Sequence, residues 1–320
     1  MAVNAKIVRR RIKSIGNTKK ITKAMELVSA SKMRKAVRTA LATRSYALLA
    51  REMLLKLSEM KVLTKHPLMQ IRPVKKILLV IVSSNRGLCG GFNSNIFKKT
   101  IEQIKNVDLI AVQRSFGKKI ISPAAKNKIE ISAITIGKQS EKIAIKMGLK
   151  VVASFNNFSD TPNLLEVKPI IEIIKTDFEK KKFDKVAIIY TDYISAVLQK
   201  PTIRQVLPIS PVDLEKMIKS LCEKEQNECD FSEQSVDFIF EPNPAWILEK
   251  MLPKLIEVQL FQALLESSAS EHSARMMAMR NASEAAEEMI GDLVFALNQA
   301  RQAGITREIA EISGGAAALE

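Results

Sequence analysis

The chain has 320 residues, of which 47% are hydrophobic and 26% charged. This composition is typical of a soluble folded protein with one sizeable core plus extensions. Aromatic residues make up only 5%, so much of the apolar content is expected in thin helical seams of Ala, Leu, Met and Ile. Three cysteines without CxxC spacing and two histidines argue against a disulfide scaffold and against a zinc site.

The net charge of +16 is concentrated near the N terminus. Residues 1–38 hold twelve Lys and Arg against Glu26 alone, a net charge of +11. Residues 266–320, by contrast, contain nine acidic residues against four Arg. The two ends of the chain are therefore electrostatically complementary.

No apolar run approaches the roughly 20 residues that span a bilayer, and no signal-peptide core precedes the first helix. We therefore predict a protein that is not inserted in a membrane. The first 25 residues are rich in Lys and Arg and lack acids, so a mitochondrial transit peptide is the alternative. A helical pattern that begins within the first ten residues and runs past residue 25 argues against a separable presequence.

Residues 3–62 form one long segment with helical spacing, in which Gly16 is the only helix breaker. Its apolar residues step by threes and fours with phase slips, which predicts a coiled-coil-like seam without a strict heptad. The seam is expected at Val8, Ile12, Ile15, Ile21, Met25 and Val28.

A second long helix is predicted from Pro253 to Ile312, a stretch that would measure about 90 Å at about 1.5 Å per residue. Its seam is expected at Ala278, Ala282, Ala285, Met289, Leu293, Ala296, Ala300 and Ala303. Such small residues let two helices approach closely. We predict that the terminal helices pair as an antiparallel coiled coil, an arrangement that favours a mechanical or scaffolding role.

The segment between these helices reads as alternating α and β structure. Strands are expected at Ile77–Val82, Val107–Val112, Ile129–Ile136 and Lys185–Tyr190, and helices at 93–105, 138–150 and 163–181. Antiparallel strands at 202–209 and 235–240 would flank a polar insertion, Val212–Asp230. We predict an α/β fold class, a central Rossmann-like domain at 66–241 between coiled-coil segments at 1–65 and 242–320.

The glycine-rich turn after Val82 matches neither G-x-x-x-x-G-K-[ST] nor G-x-G-x-x-G. We interpret it as a tight strand-to-helix turn, with anion binding by backbone N–H groups near Asn93 as the alternative. Cys89 has no His, Asp or Glu close in sequence to activate it, and Cys222 and Cys229 read as solvated thiols. We predict no catalytic residue, no cofactor site and no metal site.

The basic N-terminal helix has the charge for binding nucleic acid. Aromatic residues are not interleaved with the basic ones, and the C-terminal helix is acidic. A charge-complementary protein partner therefore fits better, and a coiled-coil nucleic-acid-binding protein remains the alternative. A nucleotide-binding enzyme that uses the α/β domain is a third possibility, and it predicts ATP or NAD binding by the isolated chain.

Three motifs, in the same order along nearly the whole chain, resemble the γ subunit of the rotary F-type ATP synthase. They are Arg11–Met33, Arg86–Asn93, and Glu271–Asn281 with Ala300–Thr306 and Glu311–Leu319. Asn85 departs from the Asp that is common in this family before Arg-Gly-Leu-Cys-Gly, and the insertion Val212–Asp230 matches no motif.

The resemblance implies the central-stalk rotor shaft of a proton-translocating ATP synthase, a subunit without catalytic residues. It implies as partners the α and β subunits of an α3β3 hexamer, the ε subunit and the c-ring, and a peripheral location on the cytoplasmic face of a bacterial inner membrane. The residues expected to contact partners are Arg9, Arg10, Lys19, Lys20, Lys23, Met25, Gln302, Thr306, Glu308, Ile312 and Leu319.

Overall fold

Helix α1 spans Ala5–Ala42, and the C-terminal helix, α6, spans Pro244–Ala317 in a computed structural model of the chain. The structure describes residues 5–42, 53, 66–70, 72–111, 113–115, 118–120, 129–159, 162–209 and 241–317. The chain divides into two compact units, one formed by Met1–Ala30 with Arg275–Glu320 and the other by Ser31–Ala274. The insertion Val212–Asp230 and the expected strand at 235–240 lie outside the described residues.

Helix α6 confirms the predicted long C-terminal helix and extends it at both ends. It has 74 residues, which corresponds to about 110 Å at about 1.5 Å per residue. Asn243 begins it by accepting a hydrogen bond from the Trp246 backbone N–H at 2.8 Å. Pro244 at the first position suits a helix start, because that position has no intrahelical N–H bond to lose.

The second unit, residues 31–274, is built on a five-stranded sheet in the order β5–β4–β1–β6–β7. The first four strands in this order are parallel, and β7 is antiparallel to β6. The strands are β1 (Lys76–Val82), β4 (Glu130–Ile136), β5 (Lys150–Phe155), β6 (Lys185–Tyr193) and β7 (Gln199–Leu207), and a separate two-stranded ribbon pairs β2 (Gln113–Ser115) with β3 (Lys118–Ile120).

Helices cover both faces of the sheet, as expected for parallel strands that are buried on two sides. They are α2 (Phe92–Lys105), α3 (Val107–Ala111), α4 (Lys138–Lys146) and α5 (Leu164–Glu179), in addition to the base of α6. Leu78, Val80 and Val82 of β1 belong to the core that includes α5 and α6. Ile77, Leu79 and Ile81, which point the other way, belong to the core that includes α2. The alternating α/β prediction is confirmed.

Two local predictions in this unit are wrong. The run Val107–Val112 was expected to be a strand, yet Val107–Ala111 forms helix α3. A short apolar run is compatible with either a strand or a helical turn. In this structure Ile110 and Ala111 are buried as part of a helix. The helix expected at 138–150 ends at Lys146, because Gly148 follows with a φ of +68° and β5 begins two residues later.

The predicted seam residues are only partly correct in the first unit. Val8 is buried, but Ile21 and Val28 are 61% and 53% exposed, and Met289 of α6 is 54% exposed. Thr22 and Ser29, one residue further along, are buried instead. The phase was wrong by one residue at Ile21 and Val28, because the residues buried there are polar and hydrophobic periodicity does not detect them.

Candidate functional site

The terminal helices of the first unit pair side by side in opposite directions. Thr22 Oγ1 lies 2.7 Å from Ser283 Oγ, and Lys19 Nζ lies 2.8 Å from Glu287 Oε1. Residue numbers decrease along α1 as they increase along α6, and the two residue numbers of each contact add up to 305 or 306. This register confirms the predicted antiparallel pairing.

Small and polar side chains fill the contact between these two helices. The buried residues of the first unit are, among those the structure describes, Val8, Thr22, Ser29, Arg275, Met279, Ser283 and Ala286. Helices packed through such residues approach more closely than helices packed through Leu or Phe. The paired helices are therefore slender, as the Ala-rich sequence predicted.

Cations line the outside of α1 at predicted contact positions. Arg9, Arg10, Lys20 and Lys23 are exposed, and Lys19 is partly exposed. Lys19 is paired with Glu287 and Lys23 with Glu26, at 2.8 and 2.9 Å. Among the described residues, Arg9, Arg10 and Lys20 form no ion pair, so their charges are available to a partner.

The C-terminal part of α6 lies beyond the reach of α1. In the observed register, the start of α1 at Ala5 is level with residues 300 and 301, and residues 301–315 are all exposed. Ile305, Ile309 and Ile312 are 50%, 61% and 74% exposed and are spaced by four and three, which places them on one side of the helix. We define this segment, residues 301–315, as the bare tip.

Several predicted contact residues fall on the bare tip. Gln302, Thr306, Glu308 and Ile312 are exposed there, and the Thr306 hydroxyl donates to the Gln302 carbonyl at 3.0 Å. Met25 of α1 is half-buried, and Leu319 lies outside the described residues. The structure thus places most of the predicted residues on two surfaces, the cationic side of α1 and the bare tip.

The glycine-rich turn of the second unit is fastened by its own side chains. Asn93 Oδ1 accepts hydrogen bonds from the Ser84 backbone N–H at 3.2 Å and the Ser84 hydroxyl at 3.0 Å. Cys89 is buried, with the Asn93 amide nitrogen 3.2 Å from its sulfur. This arrangement supports the interpretation of the segment as a tight structural turn.

The start of helix α4, at the carboxyl edge of the sheet, is also capped from within. Asn85 Oδ1 accepts from the Lys138 backbone N–H at 3.1 Å, and Ser83 Oγ accepts from the Ser140 N–H at 2.6 Å. The neighbouring cavity has a volume of about 50 Å³, and its lining includes Ser83, Asn85 and Arg86. Space of this size holds a few water molecules and is far smaller than the roughly 300 Å³ of a typical cofactor pocket.

The described part of the chain contains neither a metal-binding cluster nor a helix suited to cross a membrane. No group of three or more His, Cys, Asp or Glu side chains there is arranged to hold a metal ion. No described helix combines the length and apolarity needed to cross a bilayer.

Sequence reasoning missed the hydroxyl pair Thr22 and Ser283. A signal was present, since Thr22 and Ser29 are seven residues apart and recur at the helical period of the apolar seam. Ion pairing of Lys19 within the chain was also missed, because nothing in the sequence sets the register of two helices more than 260 residues apart.

Comparison with known proteins gives full-length matches. A family model described as ATP synthase matches residues 4–319. A protein of Dehalococcoides mccartyi named ATP synthase gamma chain is 37% identical over 318 residues, covering 99% of both chains. A protein of the same name from Herpetosiphon aurantiacus is 39% identical over 324 residues, again covering 99% of both chains.

Solved structures support the same fold. The rotor of the Euglena gracilis mitochondrial ATP synthase contains a chain that matches with a TM-score of 0.60 at 16% identity, covering 94% of this chain and 98% of that one. A chain of the central stalk and c-ring structure from Tetrahymena thermophila matches with a TM-score of 0.55 at 22% identity, covering 82% and 99%.

Proposed function

The chain belongs to the ATP synthase family as a relative of its gamma chains, and on that premise we propose how its two exposed surfaces act in the enzyme. The subunit is the non-catalytic central stalk of an ATP synthase. The nucleic-acid alternative is not supported, because the full-length relatives are ATP synthase gamma chains. Our proposal concerns which residues contact the other subunits.

The observation that carries the proposal is the uneven exposure of the helix pair. Among the residues that the structure describes, Arg9, Arg10 and Lys20 form no ion pair and no helix lies beside the bare tip. A helix pair whose charges are all paired and whose apolar residues are all buried would need no partner surface. This rod leaves cations and a stripe of three isoleucines exposed, so it fits a partner with acidic loops and an apolar sleeve.

We assign the acidic loops to the β subunits and the sleeve to the top of an α3β3 hexamer. Lys19, Lys20, Lys23, Arg9 and Arg10, with Met25 beside them, would meet the loops. Gln302, Thr306 and Glu308 would make polar contacts to β, and Ile312 with Leu319 would lie in the sleeve. Long cationic side chains at a rim contribute mainly to the rate and orientation of binding.

Contact with an asymmetric rod explains how identical catalytic sites come to differ. A site changes its conformational population only when a contacting partner binds one conformation better than the other. The exposed charges of α1 are mainly cations, whereas α6 exposes the acidic residues Glu284, Glu287, Glu288 and Asp292. As the rod turns, each site meets a different side and its nucleotide affinity changes.

The α/β unit would connect this rod to the ε subunit and the c-ring. The F1 part of ATP synthase is peripheral to the membrane, and a location on the cytoplasmic face of a bacterial inner membrane is part of the proposal. Its support is that the two gamma chains named above, from Dehalococcoides mccartyi and Herpetosiphon aurantiacus, come from bacteria. Immunogold labelling of the native organism or membrane fractionation would test that location.

Reconstitution with purified α and β subunits tests the contacts. Lys20→Glu should weaken the ATPase response about tenfold at low salt, equivalent to about 1.4 kcal/mol, and less at high salt. Lys142→Glu is the matched control, since Lys142 is an exposed lysine of α4 without an ion pair among the described residues. Equal effects of both variants, or no complex with the unmodified chain, would refute the assignment.

A further inference from the structure

The turn between β6 and β7 is fastened to helix α6 by hydroxyl groups. Ser270 Oγ donates to the Thr191 carbonyl at 3.2 Å, and Ser273 Oγ donates to the Ala196 carbonyl at 2.5 Å. The Gln199 side-chain amide donates to the Ser273 hydroxyl at 3.3 Å and to the Ala196 carbonyl at 3.1 Å. We define these five residues, all in the second unit, as the hairpin clamp.

The serines of the clamp and its contact with β6 are shielded from water. Ser270 and Ser273 have no exposed surface, and Thr191 is 3% exposed, whereas Ala196 and Gln199 are half-buried. Water does not replace a buried hydrogen bond that is broken, so the Thr191 carbonyl of β6 would lose the donor that Ser270 supplies. A serine within a helix commonly bonds to the carbonyl four residues before it. Ser270 and Ser273 instead bond to another element, and they lie three residues apart on one side of α6.

The turn that receives the bond from Ser273 also has hydrogen bonds of its own. The backbone N–H groups of Ile194 and Ser195 donate to the Leu198 carbonyl at 3.3 and 3.0 Å. The N–H groups of Val197 and Leu198 donate to Ser195 Oγ at 3.3 and 3.0 Å. These bonds set the shape of the turn, and the bond from Ser273 holds its Ala196 carbonyl against α6.

Apolar interlocking of the helix weakens at this level. Below the clamp, Leu252, Leu260 and Leu265 of α6 are fully buried in the core under the sheet. From Glu266 to Ser273 the sequence is ESSASEHS, without a large aliphatic or aromatic residue. The buried side chains of this stretch, Glu266 and His272 among them, are mostly polar, so the orientation of the helix here depends on hydrogen bonds, which require a particular geometry.

We propose that the hairpin clamp fixes the rotational orientation of α6 against the sheet and carries torque between them. This inference rests on the central-stalk function stated above. Rotation of α6 about its own axis would carry both serine hydroxyls away from their carbonyls. The apolar core below resists sliding and separation, and the clamp resists twist. Ser270 and Ser273 are thus positioning residues of the rotary mechanism.

The test uses the complete ATP synthase in sealed vesicles, with ATP hydrolysis and ATP-driven proton pumping measured on the same preparation. The double variant S270A/S273A should hydrolyse ATP at the unmodified rate when an uncoupler removes the load. Its steady pH gradient should fall at least twofold, because the stalk twists under load. Ser267→Ala is the matched control, a buried serine three residues away that forms no hydrogen bond to the hairpin among the described residues.

Two further measurements separate torque transfer from a general loss of structure. The amides of residues 194–198 should exchange at least tenfold faster in the full-length S270A/S273A chain. The variant S270T/S273T, which keeps both hydroxyls, should recover most of the lost gradient. An unchanged gradient in S270A/S273A overturns the proposal, whether or not the hairpin opens, and so does an equal loss in Ser267→Ala.

Failure of assembly has distinct meanings. If S270A/S273A does not assemble, Gln199→Leu removes the bridging amide at the edge of the clamp and should lower the gradient in the same direction. Normal pumping by Gln199→Leu, or its failure to assemble as well, would show a purely structural role and overturn the proposal. Failure of the unmodified chain to assemble would instead refute the central-stalk function.

Discussion

The Thr22 hydroxyl oxygen lies 2.7 Å from the Ser283 hydroxyl oxygen, in the buried contact between the paired terminal helices. Each hydroxyl also lies within hydrogen-bond distance of a carbonyl of its own helix, Lys19 for Thr22 and Met279 for Ser283. A hydroxyl has one hydrogen. One of the two therefore donates across the pair while the other donates to its own helix, and the contact works as a short chain of hydrogen bonds.

Removing either hydroxyl should destabilise the helix pair by about 1 kcal/mol, the typical net value of a hydrogen bond. We expect Thr22→Val and Ser283→Ala to have similar effects, and the double variant to cost less than their sum because both remove one shared bond. Hydrogen exchange at the α1 amides of residues 15–29 measures the opening free energies. Strictly additive effects would contradict a direct bond between the two hydroxyls.

The ion pair one turn away gives this contact a pH dependence. The hydrogen bond and charge of Lys19 lower the pKa of Glu287 below its ordinary value of 4.5. A carboxyl whose folded pKa is lowered contributes stability above the ordinary pKa, and this contribution is lost as the pH falls through the folded pKa. Glu287→Gln should therefore reduce the loss of helix-pair stability as the pH falls. Thermal melts followed by circular dichroism between about pH 5 and 3 measure this loss. Glu288→Gln, at the exposed neighbour that forms no ion pair among the described residues, is the matched control.

The sequence alone was sufficient to predict those elements that a single local residue pattern determines. The apolar run at 77–82 could be identified as a buried strand because strand length, apolar content and the following glycine-rich turn agree. Helix α6 could be identified because it has few breakers and begins at the second of two prolines, Pro242 and Pro244. Helix α3 could not, since five residues carry no period and Ile110 is buried equally well in either conformation.

The site was predictable in composition and less so in arrangement. Basic residues on α1 and polar residues near Gln302 could be located from the sequence. The phase of the seam could not, since Ile21 and Thr22 compete for one buried position and the choice depends on a hydroxyl of α6, Ser283. Contacts between residues distant in sequence decide such choices, and one sequence does not record them.

His66 should make the stability of the second unit depend on pH. Burial lowers the pKa of His66 below 6.5, and its Nδ1 accepts a hydrogen bond from the Leu68 backbone N–H at 3.2 Å. Because the folded pKa is lowered, the contribution is present above pH 6.5 and lost as the pH falls through the folded pKa. His66→Asn keeps an acceptor without titrating, so thermal melts between about pH 7 and 5 should show a weaker pH dependence.

The assignment of the pH dependence to His66 can be tested directly. His272 is the only other histidine, and it is buried within α6. If His66→Asn leaves the pH dependence between about pH 7 and 5 unchanged, then another group is responsible for it. The His66 ring proton signals, followed by nuclear magnetic resonance, would report its titration directly.

Substitutions on the bare tip should lower the ATPase activity of the complex without changing the stability of the chain. Gln302, Thr306 and Glu308 are exposed, and Thr306 bonds only to the backbone of its own helix among the described residues. Surface changes of this kind alter stability by less than about 0.5 kcal/mol. We expect Gln302→Ala and Thr306→Val to lower ATPase activity of the reconstituted complex several-fold while thermal melts of the chain stay unchanged. A drop in the melting temperature matching the loss of activity would argue against a contact role.

Gly137 should tolerate no side chain, whereas Gly148 should tolerate alanine at a modest cost. Both have positive φ, +93° and +68°, but a Cβ on Gly137 would lie 2.3 Å from the Ser83 carbonyl oxygen, while nothing lies within 4 Å of one on Gly148. Gly148→Ala should cost about 1 kcal/mol for its left-handed backbone alone. Gly137→Ala should cost about 3 kcal/mol, because the Ser83 backbone must move away from the Ile136 carbonyl that its N–H donates to, and its Oγ from the Ser140 N–H. Hydrogen exchange of the β1 amides measures both costs, and equal values would show that backbone strain outweighs the contact with Ser83.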